Sequence, residues 1–267
     1  MIRVALLLVL LIAPVQVFAQ FYHGVRQSAV SNAVISARQD LFSTVLNPAL
    51  FSPNNRIEIT SFYSPSPFGL SELAVFGAGG SFTVAETRLT AAVSSYGYKL
   101  YRENTFLLSA GREFYGISAG FSLQAAHLKI EGYGSSLVPV FSTGFQYKIL
   151  PSLSLGTSII NLTNASWSNT EDQIGQTSFL GLRYQEDDFI AVSFAFKNET
   201  GFKAEQLAGV EIRPSEYLMI MTGIQFASRQ YSAGVSFMYM GITADYATII
   251  HPVLGLSHQF ALGYSIE

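Results

Sequence analysis

The chain has 267 residues, no cysteine, 15 Lys plus Arg against 18 Asp plus Glu, and a net charge of −3. The absence of cysteine excludes disulfide staples, thiolate metal sites and a lipid anchor at a leader cut, and the lack of a basic excess argues against a nucleic-acid partner. Charged residues make up 12% and hydrophobic residues 49%. A soluble domain carries about 25% charge, so this composition points to a membrane.

Residues 1–19 read as a cleaved secretory signal peptide. Arg3 supplies the positive start, Val4 to Ile12 an unbroken apolar run, and Val17 and Ala19 the small-residue cut before Gln20. After the leader no stretch approaches the ~20 apolar residues of a spanning helix. An exported, charge-poor chain without such a helix spans a membrane as a closed barrel, because hydrocarbon leaves no partner for an open sheet edge.

Residues 20–55 have no period of two. Ala29 to Asp40 is small and mixed, and Leu41, Phe42, Val45 and Leu46 then lead into Asn47-Pro48-Ala49-Leu50. Pro48 stops a helix, so a short helix or hairpin ending in a turn is expected. This is the one segment long enough to fill the lumen of a wide barrel, and it is assigned as an N-terminal plug.

From residue 56 to 267 the pattern is two-fold. Ile117, Ala119, Phe121, Leu123 and Ala125 alternate with Ser118, Gly120, Ser122 and Gln124. Ile190, Val192, Phe194 and Phe196 alternate with Ala191, Ser193, Ala195 and Lys197. The polar face is mostly Gly, Ser, Thr, Ala and Gln, which suits a protein-filled interior with lipid against the apolar face. Fourteen strands are expected, near 56–64, 72–84, 87–99, 103–112, 114–130, 136–148, 151–161, 176–184, 188–198, 204–213, 216–226, 229–239, 241–249 and 254–266. Connections after even strands are tight (Ala85-Glu86, Glu113, Leu150, Glu186-Asp187, Pro214-Ser215), and those after odd strands tend to be longer. Short periplasmic turns and longer outer loops are the usual asymmetry of such barrels. Aromatics near strand ends, among them Tyr98, Tyr115, Tyr133, Tyr184 and Tyr217, fit interfacial belts. The fold class is therefore all-β, an antiparallel transmembrane barrel in the bacterial outer membrane, with lipid as its surrounding partner.

By alternation Arg88, Lys197, Glu211, Arg213 and Asp245 point inward. Buried charge demands partners, and Arg26, Arg38 and Asp40 of the plug are candidates to supply them. The four histidines, His23, His127, His251 and His258, lack metal-ligand spacing, and Gly-x-Ser-x-Gly is absent. No catalytic residue, metal or cofactor is expected. Gly77 to Gly80 lies within a strand and reads as a bend or a close approach of plug to wall.

Ala33, Val34, Ser36, Ala37 and Asp40, followed by Asn47 to Leu50, resemble the opening of the FadL-like superfamily of barrels. Within it His251-Pro252-Val253-Leu254-Gly255-Leu256-Ser257-His258 looks like the PorV/PorQ-type proteins of Bacteroidota and relatives. The resemblance implies a barrel with Asp40, Asn47, Pro48 and Ala49 as its plug motif. It also implies one of two roles. The first is a non-enzymatic accessory that works with other envelope or secretion proteins in secretion or surface assembly, which short loops and a small lumen favour. The second is a passive channel for small hydrophobic molecules.

Overall fold

The computed structural model describes residues 23–50, 57–167 and 174–266. The expected leader, 1–19, lies outside them. Fourteen strands form one closed antiparallel barrel: β1 Ile57–Ser64, β2 Val75–Val84, β3 Thr87–Gly97, β4 Tyr101–Phe114, β5 Ile117–Ile130, β6 Gly134–Leu150, β7 Leu153–Ile160, β8 Thr177–Tyr184, β9 Ile190–Glu199, β10 Glu205–Ser215, β11 Leu218–Gln225, β12 Gln230–Tyr239, β13 Ile242–His251 and β14 Gly255–Ile266. Each strand pairs with its neighbours in sequence, and β1 closes on β14 from Ile57↔Ile266 to Tyr63↔Phe260. Closure removes both sheet edges, as a hydrocarbon solvent requires.

The alternation divides the wall as expected. In β9, Ile190, Val192, Phe194 and Phe196 are exposed, while Ala191, Ser193 and Ala195 are buried. In β14, Phe260, Leu262, Tyr264 and Ile266 all face outward. The outer surface is thus a continuous apolar band. Aromatic residues mark its limits, with Tyr115, Tyr147, Tyr184, Tyr217 and Tyr239 at one rim and Tyr63, Tyr98, Tyr133 and Tyr231 at the other. Such rings sit at membrane interfaces.

The two rims differ. One carries mostly two-residue turns, Ala85-Glu86, Tyr115-Gly116, Pro151-Ser152, Glu216-Tyr217 and Met240-Gly241. Three of these place both central residues at positive φ (Ala85 47° and Glu86 64°, Tyr115 51° and Gly116 82°, Met240 48° and Gly241 79°). That is the twist-compatible hairpin geometry. Three turns were expected a little too early, at Glu113, Leu150 and Pro214-Ser215. Glu113, Leu150 and Ser215 are instead ladder residues, and β10 carries a bulge between Ile212 and Ser215. The cause is that these turns lack the Asn-Gly type of signature by which a hairpin is read.

The opposite rim carries the longer connections, 65–74 and 161–176 above all. Of the described residues of the second, 161–167 and 174–176, Asn161, Trp167 and Ile174 pack inward. Asn161 is fully buried, and its amide donates to the carbonyls of Ile174 (2.6 Å) and Ala165 (3.3 Å) while its Oδ1 accepts from Ala165 N–H (2.9 Å). Trp167 and Ile174 thereby cover Ala126, Val138 and Val140 on the inner face of β5 and β6. β6 also rises past β7, whose pairing with it begins at Thr143↔Ile159. Pro139 lies in that one-sided stretch, where a missing N–H is tolerated.

Candidate functional site

The middle of the lumen is filled by residues 23–50. Two short helices, α1 Val25–Ala29 and α2 Ser43–Leu46, are joined by turns, and every residue of both is buried. Helices of five and four residues do not stand alone in water, so the wall holds them. The chain reverses at Ser31 and Asn32, both at positive φ (53° and 60°). There the Ser232 hydroxyl of β12 donates to Ala29 O (2.8 Å) and shares a hydrogen bond with Ser31 Oγ (2.8 Å).

The plug motif is explained by its contacts. Asn47 Nδ2 donates to Ile35 O (2.8 Å) and to Phe145 O of β6 (3.2 Å), and its Oδ1 accepts from Ala49 N–H (3.0 Å). One side chain therefore closes the turn around Pro48, ties it to the earlier half of the plug and fixes it to the wall. Asp40 Oδ1 accepts from Gln27 Nε2 (2.7 Å) and Phe42 N–H (2.8 Å), joining α1 to the approach of α2. Burial pushes the Asp40 carboxyl above its ordinary pKa, with Arg26 acting in the opposite direction.

The wall meets the plug through glycine. A Cβ at Gly120 would overlap the Pro48 carbonyl, one at Gly144 the Asn47 amide, one at Gly156 the Ile35 carbonyl, and one at Gly223 the Val30 backbone. Gly120, Gly156 and Gly223 permit close approach of two backbones, and Gly144 makes room for the Asn47 side chain. The Gly77–Gly80 stretch behaves differently along its length. Gly77 admits the Phe62 ring from the neighbouring strand, whereas Gly79 meets Leu41 of the plug.

Ion pairs cluster nearer the short-turn rim. Arg26 Nε donates to both Asp245 oxygens (3.0 and 3.1 Å), its Nη2 to Ser236 Oγ (2.7 Å) and its Nη1 to Gln39 O (3.1 Å). Glu58 of β1 binds Arg38 of the plug and Arg88 of β3, the latter at 3.1 Å, and also accepts from Leu41 N–H (3.0 Å). Glu211 pairs with Arg183 and accepts from Gln39 Nε2 (3.2 Å). Of the five wall charges expected inside, Arg88, Glu211 and Asp245 are therefore buried in these clusters. Lys197 is half-buried nearer the long-loop rim and pairs with Glu199 (2.6 Å). Arg213 lies exposed at the short-turn rim and joins none of the clusters, a correction to its expected place in the lumen. It is the third residue from the end of β10, where the wall no longer encloses it.

Sequence reading missed Glu58 and Arg183. The same period of two would have found both, since Glu58 alternates with exposed Ile57 and Ile59, and Arg183 with exposed Leu182 and Tyr184. The histidines near the C terminus have local roles. His258 Nδ1 is hydrogen-bonded to Tyr246 OH (2.8 Å), and His251 Nδ1 accepts from Val253 and Leu254 N–H (3.2 and 3.1 Å), capping the β13–β14 turn. Among the described residues no group of three or more His, Asp or Glu is placed to hold a metal ion.

On the long-loop side of the plug lies a cavity of about 780 Å³. Its walls are mixed: Val75, Ile160, Phe179 and Ile249 are apolar, Lys197, Glu199, Lys203 and Glu205 are charged, and His23, Ser28 and Asn32 of the plug line it from below. Its size falls within the ~300–1,000 Å³ of small-molecule sites.

No known family model matches the sequence, and no curated protein matches it. Solved structures do share the architecture. The CymD monoaromatic hydrocarbon channel superposes with a TM-score of 0.72 at 12% identity, covering 94% of this chain and 99% of that one. The Pseudomonas putida toluene transporter TodX gives 0.66 at 12% identity, with the same coverage of both chains. The Acinetobacter baumannii outer membrane protein Omp33 gives 0.54 at 8% identity, covering 79% and 98%. At these identities the likeness is one of fold: this chain has the architecture of outer-membrane channel barrels.

Proposed function

We propose that the protein is a FadL-like passive channel of the bacterial outer membrane for small hydrophobic molecules. The observation that carries the reading is the vestibule of about 780 Å³, which is floored by the plug and presents Val75, Ile160, Phe179 and Ile249 among its polar and charged lining. The short turns then face the periplasm and the long loops the exterior, the usual orientation, with residues 1–19 acting as the export leader. A solute that leaves water for the apolar part of this lining gains about 25 cal/mol per Å² of apolar surface buried. The barrel supplies a route and no chemistry of its own. The fold shared with two hydrocarbon channels supports the same reading.

The accessory role in secretion draws no support from those neighbours. The turn that suggested it, His251 to His258, is accounted for by the local capping of His251. Purified protein in proteoliposomes is expected to speed the uptake of labelled toluene over protein-free vesicles while leaving glucose uptake unchanged. Equal toluene uptake with and without protein, together with stoichiometric co-purification of envelope proteins, would return the accessory role to first place.

A further inference from the structure

The plug is not held equally on all sides. Its ion pairs reach β13 through Asp245 and β1 through Glu58. Toward β6 and β7 the hydrogen bonds among the described residues are all neutral. Ser36 O accepts from Gln146 Nε2 (2.7 Å) and Ser154 Oγ (3.0 Å), Leu46 O accepts from Ser158 Oγ (2.6 Å), and Asn47 Nδ2 donates to Phe145 O. A neutral hydrogen bond contributes little net, because it replaces bonds to water, whereas separating a buried ion pair leaves uncompensated charges.

The same sector is hollow above and below. The vestibule reaches down β7 and β8 to Ile160 and Phe179. A second cavity, of about 560 Å³, opens at the short-turn rim and is lined by Ser36, Leu153, Ser154 and Arg183. Phe179 and Arg183 are four residues apart on one strand, about 13 Å at the rise of a β-strand. What separates the cavities is a small apolar cluster, distinct from the main core, in which Ile35 and Leu46 of the plug meet Ile160, Phe179, Ala195 and Leu207. Ile35 sits against two glycines, with its carbonyl on Gly156 and its Cβ 3.0 Å from the position of a Cβ on Gly181. At those two positions the wall offers only hydrogen, so Ile35 is held by its apolar cluster and by the hydrogen bond from Asn47 Nδ2 to its carbonyl, with no charge involved.

We infer that the passage past the plug opens along the inner face of β7–β9, with Ile35 as its gate. This rests on the channel reading. Withdrawal of Ile35 from Gly156 and Gly181 joins the two cavities without disturbing either Arg26–Asp245 or Arg38–Glu58.

The chain has no cysteine, which allows a paired crosslinking test. Ile35→Cys/Gly181→Cys locks the proposed gate. Ala29→Cys/Gly234→Cys locks the plug to β12, four strands from β8, where the Ala29 Cβ lies 2.5 Å from a Cβ built on Gly234. Both spans require only a small outward shift to reach disulfide geometry. Oxidation of the first pair is expected to reduce toluene uptake in proteoliposomes to the level of protein-free vesicles, with recovery on adding reductant, while the second pair transports in both states. Uptake that survives oxidation of the first pair would overturn the gate and leave the channel standing, and loss of uptake with both pairs would overturn it equally. Should wild-type protein fail to pass toluene at all, the channel reading falls, and planar-bilayer ion conductance decides the gate separately. There Ile35→Gly is expected to conduct more than Val30→Gly, and equal conductance would overturn the inference.

Discussion

Arg26 is held by one carboxylate, one hydroxyl and one carbonyl, and it bridges α1 to β13 across 219 positions of sequence. Removing the charge of Asp245 while keeping its shape, as Asp245→Asn does, leaves this guanidinium buried and unpaired. The expected cost to plug docking is about 3–5 kcal/mol. Hydrogen exchange of residues 23–50, followed by mass spectrometry, should show faster exchange in the variant while the β-ladders stay protected. Unchanged exchange together with unchanged ion conductance would show that the pair is not what holds the plug. Glu58 is the stricter case, since one carboxylate there serves Arg38 and Arg88 together, and Glu58→Gln takes that negative charge from both.

Between plug and wall the recurring element is a strand glycine opposite plug backbone. Its necessity is testable by position. At Gly120 a methyl group overlaps the Pro48 carbonyl, whereas at Gly80 the nearest atom to an added Cβ is Glu58 O at 3.6 Å, an ordinary contact. Gly120→Ala is therefore expected to destabilise plug seating by about 1–3 kcal/mol through overpacking, read as raised conductance and faster exchange at 47–50, while Gly80→Ala leaves both unchanged. These contacts also mark the limit of what the sequence discloses. Strands such as β5 and β9 are legible residue by residue because lipid on one face and protein on the other impose a period of two. The Asn47-Pro48-Ala49 turn is legible because its chemistry is local. Which glycine meets which part of the plug is not, since Gly156 and Ile35 are brought together only by closure of the whole barrel. The charge partners failed for a related reason: alternation gives the side of the wall, and the height along it decides whether an inward charge is enclosed, like Asp245, or sits at the rim, like Arg213.

At the scale of the molecule, the barrel and the plug draw on different solvents. Fourteen closed ladders satisfy the backbone without help from the lumen, and the outer band owes its stability to contact with hydrocarbon. A charge placed on that band should therefore cost according to depth, independently of the plug. Leu108 is the eighth residue of β4, faces outward and is paired with Ala91 and Leu123, all well away from either rim. Ile242 faces outward too, but it is the first residue of β13, beside the Met240-Gly241 turn. Leu108→Arg is expected to lower folding stability in lipid vesicles by about 2–4 kcal/mol, and Ile242→Arg by no more than about 1 kcal/mol, because the second side chain reaches the interface and the first does not. Denaturant-induced unfolding from vesicles measures both. In detergent micelles, whose surface adapts to the protein, the gap should narrow. Equal costs in vesicles would mean that the two positions stand at the same depth, and the strands would then have to cross the bilayer at a different height from the one their aromatic rims define.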